Sequence, residues 1–266
     1  MTTCPKCGTE QEEGNFCEAC GAPLQTTTEH AAADGPAPQA EAASTKASET
    51  FEKVKAESEQ YWNYFLTRLK KPSIALRDGE HALSGAIITS ILLPLLVAIF
   101  LYVVANNMWK EQDFGFMDMG SLPFFSIVSR LFFIAVLFFF TGLLANFITL
   151  KITKNTISVK TLYIRYAGLL VPFVAIFAVF TLLALVGVIS INLNYPEDTL
   201  LMFSLFVILL STAIYINPII HAFYHLQQHK QNYYFTLLTL LFNIIIIVIL
   251  VRMFVSEMID SLENLL

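Results

Sequence analysis

Leu131-Phe132-Phe133-Ile134-Ala135-Val136-Leu137-Phe138-Phe139-Phe140-Thr141-Gly142-Leu143-Leu144-Ala145-Asn146-Phe147-Ile148-Thr149-Leu150 contains no charged residue, and only two threonines, one glycine and one asparagine relieve its apolar character. A helix of about 20 such residues crosses a hydrocarbon core of about 30 Å. Four further segments read the same way, at 86–105, 168–189, 200–220 and 235–255. None alternates polar and apolar side chains as a barrel strand would. Hydrocarbon leaves backbone groups no solvent to bond, so continuous apolar segments are expected as helices. The fold class is therefore an all-α transmembrane bundle of five spans occupying residues 78–266.

Composition agrees. The chain has 266 residues, 56% hydrophobic and 14% charged, where a soluble domain carries about 45–50% and about 25%. The excess lies beyond residue 84. A net charge of −5, with no basic stripe interleaved with aromatics, excludes nucleic acid as a partner. The first 25 residues are polar and cysteine-rich, unlike a secretory signal peptide, so the N-terminus is expected to stay in the cytoplasm.

The flanks orient the spans. Arg68, Lys70, Lys71 and Arg77 precede the first, and Lys151, Lys154, Lys160 and Arg165 fill the second loop without an acid. The first loop mixes Lys110 with Glu111, Asp113 and Asp118, the third holds Glu197 and Asp198, and the fourth carries Lys230. The positive-inside rule places the N-terminus and the second and fourth loops in the cytoplasm, with the C-terminus outside the cell membrane.

All four cysteines, Cys4, Cys7, Cys17 and Cys20, lie in two Cys-x-x-Cys pairs at the N-terminus. Four thiolates from two tight turns suit tetrahedral Zn2+, and Gly8 and Gly21 let each turn fold back toward its sulfurs. Residues 1–24 are thus expected to form a closed zinc ribbon whose folding energy is metal binding. A redox dithiol would need a βαβ context that so short a segment cannot supply.

Residues 22–50 hold Leu24 as their one large aliphatic side chain, and 25–50 read as a disordered linker. Residues 51–77 read as an amphipathic juxtamembrane helix. Phe51, Val54, Tyr61, Phe65 and Leu69 fall near one face beside Trp62 and Leu66, with Lys53, Lys55 and Arg68 around them. Such a helix suits the membrane surface; packing on the protein's own body is the alternative.

His221, His225 and His229 recur every fourth residue of the fourth loop, a spacing that would line one side of a helix. A second metal site is conceivable there, although no carboxylate accompanies the histidines, and an interfacial role beside Tyr224, Tyr233 and Tyr234 is the plainer reading. The spans contain no Asp, Glu or Lys. Asn146, Asn217 and Asn243 are expected to bond between helices, and Pro94, Pro172 and Pro218 can bend theirs. No nucleophile elbow, Walker loop or dinucleotide fingerprint occurs.

The segments Cys4-Pro5-Lys6-Cys7-Gly8 and Phe16-Cys17-Glu18-Ala19-Cys20-Gly21 resemble the bacterial zinc-ribbon module fused to membrane domains. The span count, with Thr161-Leu162-Tyr163-Ile164-Arg165-Tyr166-Ala167-Gly168-Leu169-Leu170-Val171-Pro172, resembles the Yip1-like membrane superfamily. These resemblances imply architecture. The function expected is non-enzymatic: a bilayer-embedded scaffold or regulator whose ribbon engages a cytoplasmic protein. A permease or channel for a small solute and a membrane enzyme using the histidine loop are the alternatives, and homo-oligomerisation is open.

Overall fold

Lipid-compatible segments satisfy their backbone internally, and the computed structural model is accordingly almost wholly helical. It describes residues 2–3, 10–11, 18, 40–111, 120–189 and 196–263, in two compact units, Met1–Glu52 and Lys53–Leu266. In the first unit β1 (Thr2–Thr3) and β2 (Glu10–Gln11) pair antiparallel, Thr2 opposite Gln11 and Thr3 opposite Glu10. Cys4, Cys7, Cys17 and Cys20, expected as zinc ligands, lie outside the described residues.

Helix α1 runs Ala40–Lys70, starting well ahead of residue 51 inside the stretch expected as linker. Lack of apolar residues argues against packing but not against helix. Ala40, Ala42, Ala43, Lys46, Ala47 and Glu49 are strong helix formers. After α1 come two 3-10 turns, Pro72–Arg77 and Glu80–Ala82.

The remaining helices are α2 (Leu83–Glu111), α3 (Phe124–Ile152), α4 (Val159–Gly168), α5 (Val171–Leu185), α6 (Pro196–Ser211), α7 (Asn217–His225) and α8 (Asn232–Glu263). A π-helical turn, Thr212–Ile216, joins α6 to α7. Among the described residues four helical stretches can cross a membrane by length and composition, Glu80–Lys110, Phe124–Ile152, Leu200–His225 and Asn232–Ser256. The pair α4 and α5, bent by 42° at their junction, makes a fifth if it acts as one span. The apolar window of the sequence places this span at 168–189, because Lys160 and Arg165 keep most of α4 outside it.

Helix α2 is the hub. Half of its apolar window (50%) is buried, against 33%, 22% and 22% for the other unbroken spans, so it sits between its neighbours while they face outward. Its Leu93, Val97 and Phe100 pack with Phe139 of α3, Phe177 of α5 and Phe206 of α6. Phe100 stacks on Phe206 with centroids 4.8 Å apart. Apolar residues on the outer faces, such as Phe133, Leu182, Ile208 and Val248, remain exposed, as lipid-facing side chains should.

Contacts sort the helix ends into two groups. Lys160 at the start of α4 meets Glu80 ahead of α2 (2.8 Å). Asn155, just after α3, donates to the His225 carbonyl at the end of α7 (3.2 Å). Thr239, early in α8, donates to Thr149, late in α3 (2.9 Å). The starts of α2, α4 and α8 and the ends of α3 and α7 thus share one end of the bundle. At the opposite end Tyr102 and Asn106 of α2 bond Leu122 ahead of α3, at 2.8 Å and 2.9 Å.

Local chemistry sets these junctions. Lys154 (φ 54°) takes the left-handed position after α3, and the Asn155 N–H reaches back to the Leu150 carbonyl (2.9 Å), a helix-ending bond that aims the Asn155 side chain at α7. Ser158 caps α4 by accepting the Thr161 N–H (3.1 Å).

Candidate functional site

The first feature of interest is a clamp on α1. Tyr61 and Tyr64 face the bundle, Tyr64 packing with Ala82, Ala86, Ile164 and Val171. One turn on, Arg68 is buried and pairs with Asp78 (Nε to Oδ2 2.7 Å). The same guanidinium donates to the Tyr64 carbonyl (3.0 Å) and lies 3.6 Å from the Tyr64 ring centroid. Arg165 of α4 donates to the Asp78 carbonyl (3.0 Å). Three elements thus meet at Asp78, α1 through its carboxylate and α4 through its backbone carbonyl. The C-terminal part of α1 is therefore packed on the protein's own body, while Trp62 and Leu69 stay exposed on its other side. A groove of about 630 Å³ runs along this seam. Burial pushes the Tyr64 hydroxyl above the ordinary tyrosine range, against the opposing pull of Arg68, and leaves it a neutral phenol.

The second feature is a polar layer inside the bundle, near the end where α3 and α7 finish. Asn146 is fully buried; its Nδ2 donates to the Gly142 carbonyl (2.8 Å) and the Pro218 carbonyl (3.3 Å). Its Oδ1 faces His221 Nδ1 at 3.3 Å. His221 is fully buried and packs edge-on to Tyr166 (5.9 Å), and its ring lies 4.5 Å from that of His225. Tyr166 donates to the Phe139 carbonyl (2.9 Å). Asn243 of α8 donates to the Ile214 carbonyl (2.9 Å). In α-helical register that carbonyl would meet an N–H at position 218, which proline lacks, so the asparagine fills a gap the proline opens. Asn146 and Asn243 do bond between helices, as expected; Asn217 Nδ2 is buried without a partner.

The three histidines do not form one row. Helix α7 ends at His225 and the chain turns at Leu226. His229 is exposed, its ring 4.7 Å from Phe235 and its Nδ1 accepting the Gln231 N–H (3.3 Å). The helix also carries His221 and His225 beyond the span limit of 220 read from the sequence. Among the described residues no group of three or more His, Cys, Asp or Glu gathers as a metal site. The Nε2 atoms of His221 and His225 are buried and unpartnered. His225 lines a cleft of about 470 Å³ with Thr153, Asn155, Tyr224, Gln228 and His229.

Gly142 makes the layer possible. A Cβ there would lie 2.5 Å from the Tyr166 hydroxyl and 2.8 Å from Pro218 Cγ. Gly142→Ala is expected to cost about 1–3 kcal/mol through overpacking, seen as a lowered thermal transition in detergent. Leu144→Ala on the exposed face of the same helix should leave that transition nearly unmoved; equal losses would show that the close approach is not limiting.

An uncharacterized protein of Bacillus subtilis (strain 168), YvbI, is 31% identical over 176 residues, which span 65% of this chain and 65% of that protein. The chain thus spans somewhat under two thirds of that relative's length. No family model matches, and no solved structure matches.

Proposed function

We propose that the chain is a five-span, non-enzymatic scaffold or regulator of the bacterial cell membrane, presenting a Cys4 zinc ribbon to a cytoplasmic protein. The observation that carries the span count is the bond between Asn155 and His225. It sets the end of α3 beside the end of α7. The stretch Leu200–His225 runs toward that end, so the chain must cross between α3 and α6, and the bent pair α4–α5 is the crossing. A five-span body of this kind fits the Yip1-like resemblance, and the source of the similar protein supports a bacterial membrane.

Sidedness follows from charge. Lys70, Lys71, Lys151 and Lys160 are exposed near the end that holds the start of α2, which favours placing that end in the cytoplasm. The zinc ribbon rests on the spacing of Cys4, Cys7, Cys17 and Cys20, and the β1–β2 pairing, which brackets the first cysteine pair in sequence, is consistent with it. The polar layer is packed, with Asn146, His221 and Asn243 fully buried, which favours a scaffold over a solute path. Crosslinking in intact membranes followed by capture of the full chain is expected to enrich a cytoplasmic protein that a Cys4→Ser chain does not retain. Equal recovery by both chains would count against the reading.

A further inference from the structure

We propose that His221 and His225 form a binding site for a soft monovalent cation of the Cu(I) type, held through their Nε2 atoms. The inference stands on the polar layer and is independent of the ribbon.

The tautomer of His221 can be assigned from its neighbours. Both contacts of Asn146 Nδ2 are carbonyl oxygens, so that atom is the amide nitrogen and Oδ1 is an acceptor. His221 Nδ1, 3.3 Å from Oδ1, must then carry the proton, which leaves the lone pair on Nε2. A metal-bound imidazole is usually oriented in this way, its other N–H given to a fixed oxygen. One helical turn later His225 supplies a second buried, unpartnered Nε2, with the rings 4.5 Å apart. Buried polar atoms without partners are rare, and an ion or water is among their ordinary explanations. With His225 in the same tautomer, the two nitrogens on adjacent turns suit a Lewis acid that both can reach.

The surroundings select the ion. Imidazole suits copper and its neighbours in the transition series. Both donors are neutral, and Arg165 adds positive potential at each ring. A divalent ion without an anionic ligand is poorly accommodated under these conditions, whereas a singly charged ion that accepts few ligands is tolerated better. The cleft lined by His225, Asn155 and Gln228 supplies the way in.

Silver(I), which matches Cu(I) in charge and softness without redox chemistry, is the probe. The full chain carrying Cys4→Ser, Cys7→Ser, Cys17→Ser and Cys20→Ser, which remove the thiolates, is labelled with 15N-histidine in lipid nanodiscs and titrated. The expected result is that the Nε2 resonances of His221 and His225 shift together and saturate at one equivalent, while His221 Nδ1 stays protonated. His225→Ala should weaken binding by at least tenfold. Asn146→Ala, which removes the orienting oxygen, should weaken it by about 10–100-fold. If the fourfold variant fails to fold, the zinc-loaded native chain is titrated, since imidazole nitrogens are read apart from thiolates. Shifts confined to the exposed His229, or two buried rings responding at separate concentrations, would overturn the proposal.

Discussion

Asp78→Ala should lower the stability of the membrane unit by about 3–5 kcal/mol, because it leaves the buried Arg68 guanidinium without its counter-charge. Both side chains are nearly excluded from solvent, 6% and 4% exposed, so water cannot take over the lost interaction. The damage should begin locally. Hydrogen exchange across α1 residues 57–68 is expected to accelerate well before the spans respond, since Arg68 and Asp78 join α1 to the turn ahead of α2. Replacing the pair together, Arg68→Met with Asp78→Leu, should restore most of the loss, because the cost lies in an unmatched charge and not in the absence of an ion pair. Lys160→Ala gives the contrast. Its pairing with Glu80 is 44% and 72% exposed, and its removal should change stability by under about 1 kcal/mol. A mild Asp78→Ala phenotype would mean that Arg68 can swing out to solvent.

The larger effect is expected at the N-terminus. On the proposed zinc ribbon, Cys17→Ser should abolish zinc binding and with it the folding energy of residues 1–24, since metal binding of about 10–16 kcal/mol is the folding energy of such a segment. Zinc analysis of the purified chain should fall from one equivalent to well below it, and limited proteolysis should then cut within residues 1–24. The thermal transition of the membrane unit should not move. A coincident fall in that transition would show that the ribbon and the spans fold as one body, and an unchanged zinc content would remove the ribbon from the account.

Much of the membrane unit was legible in the sequence because its signal is bulk composition. Residues 131–150 could only be a spanning helix, and α3 contains them. What composition hides is chemistry that works against it. Val159–Gly168 carries Lys160 and Arg165 and so falls outside an apolar window, yet Leu162, Ile164 and Tyr166 of the same helix are buried. His221 reads as the first residue of a loop because imidazole is polar, whereas Asn146, 75 positions away, makes it an interior residue. Arg68 reads as one more basic flank, and Asp78 stands ten positions on with nothing in the spacing to couple them. Only the 3-10 turn Pro72–Arg77 folds them onto each other, and no periodicity announces such a turn. On α1 the expected apolar face included Leu69, which is left exposed, while Tyr64, absent from that face, is the most deeply packed of the helix's described aromatic side chains. Spacing alone could not decide which side meets the bundle.

The wide turn at Thr212–Ile216 has a rotational consequence. Before it, Leu200, Phe203 and Ile208 look out while Phe206 packs inward; after it, Asn217, His221 and Ala222 look inward while Ile220 and Phe223 look out. A π turn accommodates one residue more than the α geometry, and one residue corresponds to about 100° around the axis. The turn therefore sets the phase of the second half of a single rod, so that its hydrogen-bonding flank continues the inward side that Phe206 begins. Tightening it to ordinary winding would swivel the imidazoles toward the acyl chains without altering any side chain.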